Sequence, residues 1–151
     1  MRAIRELLAP ETALAYPAMR ELRQVGDQAA FVQRVDDVQR PEGYRLAGAF
    51  EPGRDHAVAV AGFRLVHNLA FGATLYVDDL STLPAGRRHG HARALLRWLA
   101  EEARRLDCAE LHLDSAVGAA RFDAHRVYLS AGLDITSHHF SAPVEALLRE
   151  R

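Results

Sequence analysis

Between Leu75 and Leu106 the chain changes its apolar period, and no other stretch constrains the fold as much. Leu75 to Thr82 reads as a strand, ended by Pro84. A junction of Gly86-Arg87-Arg88-His89-Gly90-His91-Ala92 follows. Leu95, Leu99, Ala103 and Leu106 then form one apolar stripe at helical spacing, while Arg97, Glu101 and Arg105 form a charged row at i, i+4. A strand that feeds an amphipathic helix in this way belongs to a layered α/β architecture.

The flanking sequence extends the pattern. Pro10-Glu11-Thr12 opens a helix that Leu14, Ala18 and Leu22 continue, with Pro17 marking a kink or a later start. Gly26-Asp27 opens a second helix, with Ala30, Phe31 and Val35 on one side. Pro41-Glu42-Gly43 is a turn, after which Tyr44, Leu46, Gly48 and Phe50 alternate as on a strand. Glu51-Pro52-Gly53-Arg54-Asp55 is a hairpin-type connection into Ala57–Val66, an almost continuously apolar run suited to a central strand. Asn68 to Gly72 is a turn. Past the amphipathic helix, Ala109, Leu111 and Leu113 alternate, Ala119 to Ala131 is helical with Gly132 as its C-terminal cap, and Ile135 to Phe140 reads as a last strand. A short strand at the N-terminus completes the expected list of elements. The expectation is an α/β (α+β) fold, a mixed sheet covered by helices, in a single domain over residues 1–151.

Composition narrows the function classes. The chain has 151 residues, 49% of them apolar and 26% charged, which excludes a disordered, collagenous or coiled-coil chain. The formal net charge of −1 argues against a broadly basic nucleic-acid binder. All 19 basic residues are arginine, and with the abundance of alanine this reads as the coding bias of a GC-rich, bacterial genome. The single cysteine, Cys108, allows no intramolecular disulfide and suits a reducing cytoplasm. Met1-Arg2-Ala3-Ile4-Arg5-Glu6 lacks the apolar core of a signal peptide, and the longest wholly apolar stretch, around Ala57–Phe63, falls short of the roughly 20 residues that span a bilayer. The expected location is cytoplasmic, with neither a membrane nor a nucleic acid as partner.

The junction at Arg87–Ala92 carries the chemistry. The first turn of a helix presents unpaired N–H groups and a partial positive charge, which together bind phosphate. Gly90 lets the backbone approach a ligand, Ala92 keeps the helix start small, and Arg87, Arg88 and Arg93 can pair with phosphate oxygens. A nucleoside-triphosphate loop needs a Gly-Lys-Ser/Thr ending, and the chain contains no lysine. A dinucleotide fingerprint needs Gly-x-Gly-x-x-Gly near the first strand, and this junction comes late.

Leu80-Ser81-Thr82-Leu83-Pro84-Ala85-Gly86-Arg87-Arg88-His89-Gly90-His91-Ala92 resembles motif A of the GNAT family of N-acetyltransferases, whose Arg/Gln-x-x-Gly-x-Gly/Ala signature binds the pyrophosphate of acetyl-CoA. Ala124-His125-Arg126-Val127-Tyr128-Leu129-Ser130-Ala131-Gly132-Leu133 is similar to the family's motif B. The resemblance covers roughly residues 44–140 and includes the element order. It departs from the family at Leu133, where phenylalanine is usual, and at Arg121, where many members have asparagine. It implies a mostly antiparallel mixed sheet with helices on both faces, acetyl-CoA as co-substrate, an amine acceptor, and residues 1–42 as part of the acceptor site.

The implied reaction moves an acetyl group from a thioester to an amine. The amine must lose a proton, the carbonyl oxygen must be stabilised as charge develops, and the departing thiolate needs a proton donor. By resemblance Tyr128 is that donor; a phenol of ordinary pKa near 10 stays protonated at neutral pH. Asp78 and Asp79 lie just before the phosphate loop. Strand neighbours point to opposite faces, so at most one is expected to enter the cleft, as general base or as attractor of the cationic amine. Asp78 aligns with an acidic position used as base in some members. The resemblance also assigns backbone contacts with the pantetheine to Leu80 and Thr82, contacts with the phosphates to Arg87, Arg88, His89, Gly90, His91, Ala92 and Arg93, and a place near the cofactor to His125.

Eight histidines raise a metal reading, but no His-Glu-x-x-His or paired-cysteine pattern is present, so no metal is expected. His138-His139 sit on the expected last strand, where one of them lines the acceptor site or bonds within the sheet. His112, Asp114 and Ser115 lie too close in sequence to converge as a hydrolytic triad, and no Gly-x-Ser-x-Gly elbow accompanies them. Cys108 reads as a small buried hydrophobe and Trp98 as a packing or interface residue. The alternatives to an enzyme are a CoA-binding sensor of the same fold without turnover and a dimerising interaction module. Homodimerisation is open under every reading.

Overall fold

Small residues fill the centre of the sheet in the computed structural model, which describes residues 3–149. Strands β2 (Arg45–Phe50) and β3 (Ala59–Asn68) run antiparallel, with Ala47 opposite Ala61 and Ala49 opposite Ala59. Leu46 to Ala49 and Ala59 to Phe63 are buried without alternation, so helices and loops cover both faces. Beyond Phe63 the burial of β3 fades, and Leu65 is exposed. The apolar run expected to be central throughout is therefore central only in its first half.

The sheet has the order β1-β2-β3-β4-β5, where β1 is Ala3–Leu7, β4 is Gly72–Thr82 and β5 is Glu110–Leu113. The first four strands pair antiparallel and β5 joins β4 in parallel. A parallel neighbour requires a crossover, and helix α3 (His91–Arg105) supplies it. On one face α3 buries Leu95, Leu99 and Ala103, and its Trp98 meets Phe63 of β3 edge-on at a centroid distance of 5.9 Å. On the other face Ala18, Met19, Phe31, Val35 and Tyr44 pack with Leu7, Leu46 and Val60.

The N-terminal connection departs from the expected long helix. Ala9–Ala15 is a 3-10 turn and only Tyr16–Met19 (α1) is α-helical, because Pro10 and Pro17 hold the first turns of both and deny them interior amides. Helix α2 (Gln28–Arg34) starts as expected at Asp27, whose carboxylate caps the Ala30 amide at 2.8 Å, and Val35–Gln39 continues it as a wider π turn. Thr12 is buried with its hydroxyl 2.6 Å from Asp36, and Arg40 reaches Asp36, Thr12 and the Leu7 carbonyl. Arg45 likewise ties β1 to α3, with Glu6 at 2.7 Å and Glu102 at 2.8 Å.

The chain divides into two compact units between Ser115 and Ala116, and the sheet lies in the first. The second holds α4 (Phe122–Ala131), closed by left-handed Gly132, and the short α5 (Val144–Leu147). The strand expected at Ile135–Phe140 does not form: these residues have no regular structure, and Ile135 and Phe140 are 80% and 90% exposed. A strand needs a partner for its backbone groups, and a β-prone composition does not provide one. Among the described residues no helix is long and apolar enough to cross a membrane.

Candidate active site

The strand-to-helix junction after β4 has the conformation of an open helix start. After β4 the chain makes a 3-10 turn at Pro84–Gly86 and two left-handed residues, Arg88 at φ 64° and Gly90 at φ 77°, before α3 begins. Left-handed backbone between other conformations turns successive N–H groups to one side, the geometry of an anion-binding nest. Gly90 is the N-cap of α3 and offers no side chain to close it, and no acidic residue lies in the first turn. The amides of His91, Ala92 and Arg93 therefore have no intrahelical acceptor, and the partial charge of the helix start is not cancelled from within its first turn. Arg87, Arg88 and Arg93 are exposed and form no ion pair among the described residues.

The two loop histidines differ. His91 is 3% exposed, its Nε2 2.6 Å from Glu51, so its side chain is committed inward and its backbone N–H is what it offers a ligand. His89 is exposed, its Nδ1 3.1 Å from the same carboxylate. Hydrogen bonds from His91, then His89, hold the Glu51 carboxyl below the usual carboxylate range. Glu51 was missed in the sequence because it lies 38 and 40 residues away, in a connection that reads only as a turn. Single ligand atoms of Glu51, His89 and His91 lie within 4.8 Å of one another, a donor set that zinc accepts.

The acidic pair on β4 sits at an irregularity of the strand. Asp79 is opposite Gly62 and Val77 is opposite Phe63, so Asp78 is the surplus residue of a β-bulge. The bulge suspends the alternation, and Asp78 and Asp79 are both among the residues that line one cavity of about 350 Å³. Met19, Val25, Phe31 and Val35 give the cavity an apolar wall, and Arg23, Gln24, Arg34 and Gln39 give it polar groups. Asp78 accepts two hydrogen bonds from Arg64, at 2.9 and 2.8 Å. Asp79 accepts from Arg23 at 2.8 Å and from the Tyr44 hydroxyl at 2.7 Å. Burial first, and then the Asp79 charge, push the Tyr44 phenol well above an ordinary tyrosine, so it stays a donor. A Cβ on Gly62 would lie 1.8 Å from that hydroxyl, so only glycine leaves room for it.

Between the cavity and the loop, β4 has one open edge. β5 pairs with it only from Thr74 to Val77, while residues 78–82 pair on the β3 side alone. Backbone groups of the stretch holding Leu80 and Thr82 that face away from β3 have no strand partner among the described residues. Such an edge can bind an extended ligand through main-chain hydrogen bonds.

The second unit carries Tyr128 and His125. Tyr128 is buried on α4, and Arg121 donates to its oxygen at 3.5 Å. Arg121, the departure from motif B, is the N-cap residue of that helix. His125 Nε2 lies 2.9 Å from the Ala116 carbonyl. His138 and His139 are exposed on an irregular segment. Burial raises the Cys108 thiol above its usual pKa.

Comparison with known proteins follows the same lines. The model of the acetyltransferase (GNAT) family matches residues 2–133. An uncharacterized N-acetyltransferase, YhdJ, of Bacillus subtilis (strain 168) is 33% identical over 136 residues, covering 89% of this chain and 92% of its own. Among solved structures, the aminoglycoside N-acetyltransferase AAC(6')-Iy in complex with CoA superposes with a TM-score of 0.80 at 14% identity, over 95% of this chain and 94% of its own. The ribosomal-protein-alanine N-acetyltransferase of Brucella melitensis biovar Abortus 2308 superposes with a TM-score of 0.78 at 18% identity, over 95% and 99%.

Proposed function

The chain belongs to the GNAT acetyltransferase family, an acetyl-CoA-dependent acyltransferase, and from that premise we propose that it acetylates a primary amine by direct attack in a ternary complex. One observation carries the reading: a single strand, β4, bears Asp78 and Asp79 of the cavity lining, an edge without a strand partner beyond them and an uncapped helix start after its end.

In this reading the pyrophosphate sits on the amides of Gly90 to Arg93, with Arg87, Arg88 and Arg93 as exposed counter-charges. The pantetheine runs along the open edge at Leu80 and Thr82 and delivers the thioester toward the cavity. The ammonium is drawn to Asp78 and Asp79 and gives a proton to one of them, directly or through water. The neutral nitrogen attacks the thioester carbon, a C–N bond forms, and the C–S bond breaks as the tetrahedral intermediate collapses. The leaving thiolate takes a proton from Tyr128, whose support is the motif B match, and the proton shed by the nitrogen as it becomes an amide restores the phenol through solvent.

The test is acetyl transfer over a panel of amines, read by free thiol release. Saturable, amine-dependent thiol release establishes the reaction. Tight acetyl-CoA binding without release for any amine leaves a sensor of the same fold, and absence of binding at millimolar acetyl-CoA removes the phosphate loop as well.

A further inference from the structure

We infer that the acceptor carries an oxyanion, a carboxylate or phosphate, beside its reacting amine, and that Arg34 and Arg23 recognise it within the cavity lined by Asp78 and Asp79. The inference rests on the reading of this cavity as the acceptor site.

The charge arrangement carries it. Two carboxylates and two guanidiniums line the cavity, Asp78 and Asp79 against Arg23 and Arg34. Neither acid awaits a cation: Arg64 holds Asp78 through two hydrogen bonds, and Arg23 and Tyr44 hold Asp79. Arg64 lies outside the lining and feels Glu42 as well as Asp78, so the lining itself holds two guanidiniums and two acidic residues. Arg34, in the last turn of α2, forms no ion pair among the described residues and is exposed at the cavity rim.

An amine without an acid would have to displace Arg23 from Asp79 and leave that guanidinium with only the Asp78 carbonyl and solvent. An amine with an oxyanion exchanges partners instead. Its ammonium takes Asp79, its oxyanion takes the released Arg23 together with Arg34, and no charge is left over. A polycation, with several ammoniums and no acid, offers nothing to Arg34 or to a displaced Arg23 and is disfavoured. The guanidinium fork suits both carboxylate and phosphate, and it keeps its proton, so these arginines do not compete with the acceptor for the acetyl group. The volume of about 350 Å³ is at the small end for a ligand pocket, and the wall of Met19, Val25, Phe31 and Val35 favours an acceptor with some apolar surface.

The experiment compares matched pairs: phenylalanine against phenethylamine, and O-phosphoethanolamine against ethanolamine, with spermidine and neamine as polycations. For each, kcat and KM are measured on the wild type, Arg34→Gln and Arg34→Lys. In at least one pair the acid-bearing member is expected to lead by tenfold or more in kcat/KM, and the pair that does so separates carboxylate from phosphate. Arg34→Gln then loses at least tenfold for that member, through KM with kcat held, and less than threefold for its acid-free partner. Arg34→Lys recovers part of the loss. Turnover led by acid-free amines or polycations overturns the inference alone, as does an Arg34→Gln loss equal for both members of the pair. Turnover of no amine at all overturns the acceptor reading and the inference with it.

Discussion

Gly62→Ala puts a methyl carbon into space that the Tyr44 ring occupies. The ideal Cβ lies 1.8 Å from the hydroxyl oxygen, 2.3 Å from Cζ and 2.6 Å from Cε2. Non-bonded carbons settle near 3.5–4.0 Å, so the ring must retreat by roughly 1 Å or more. Tyr44 is 5% exposed and has little room to do so. Two costs add. Overpacking a filled core costs about 1–3 kcal/mol. Losing the hydroxyl bond to the Asp79 carboxylate costs about 1.5–3 kcal/mol, as for hydrogen bonds to charged groups. The sum is about 2.5–6 kcal/mol, and for a chain of this length each kcal/mol lowers Tm by roughly 2–4 °C. Thermal and urea unfolding should show a Tm lowered by about 10 °C. Tyr44→Phe, which removes only the oxygen, should lose the hydrogen-bond part alone. Tyr44→Ala empties the space, so Gly62→Ala added to it should cost less than about 0.5 kcal/mol more, a strong departure from additivity. If Gly62→Ala unfolds like the wild type, or if the two substitutions simply add, the close approach of Tyr44 to β3 is wrong.

Other consequences are open to the same bench. Gly90→Glu adds a side chain at a left-handed position, φ 77°, and a negative charge where phosphate would bind; acetyl-CoA affinity by calorimetry should fall at least ~100-fold, and unchanged affinity refutes the phosphate loop. Tyr128→Phe should lower kcat by about 10²–10⁴, the usual span for a proton donor, with the acetyl-CoA Kd unmoved; wild-type turnover rules out the donor role. Glu102 is held at a pKa of about 2, below the ordinary glutamate value of 4.5, by Arg105 first and by Arg45 against the opposing effect of burial. Its folded pKa is depressed, so its contribution is present above about pH 4.5 and fades as pH falls toward 2. Glu102→Gln should flatten the loss of stability across that window in urea titrations, and an unchanged pH slope removes the pairing.

Much of the fold could be read because burial imposes a period. The stripe of Leu95, Leu99 and Ala103 is the face that α3 buries, and the run from Ala59 to Phe63 is buried on both sides. Period alone failed where partners decide. Ile135–Phe140 has strand-forming residues and nothing to pair with, while Pro10 and Pro17 divide an apolar helical pattern into a 3-10 turn and one short helix. The strand-to-helix junction was legible because its conformation is local, set by Gly90 and the change of apolar period. Glu51, Arg23 and Tyr44 reach the site through side chains from distant segments, and no local pattern announces them. The bulge did leave a trace: the buried series Leu75, Val77, Leu80 steps by two and then by three.

That step of three has a consequence for how β4 tolerates change in length. If Asp78 is struck from the written sequence, Leu75, Val77, Leu80 and Thr82 alternate without interruption against Tyr76, Asp79 and Ser81. Loss of one aspartate, Asp78 or Asp79, gives the same chain either way and leaves every neighbour in phase. Loss of any other between Leu75 and Thr82 would leave a residue out of step with the face it now occupies. A chain shortened there would keep its core and lose one acid. Gain or loss of a carboxylate by single-residue indel is therefore open to this strand without a new fold.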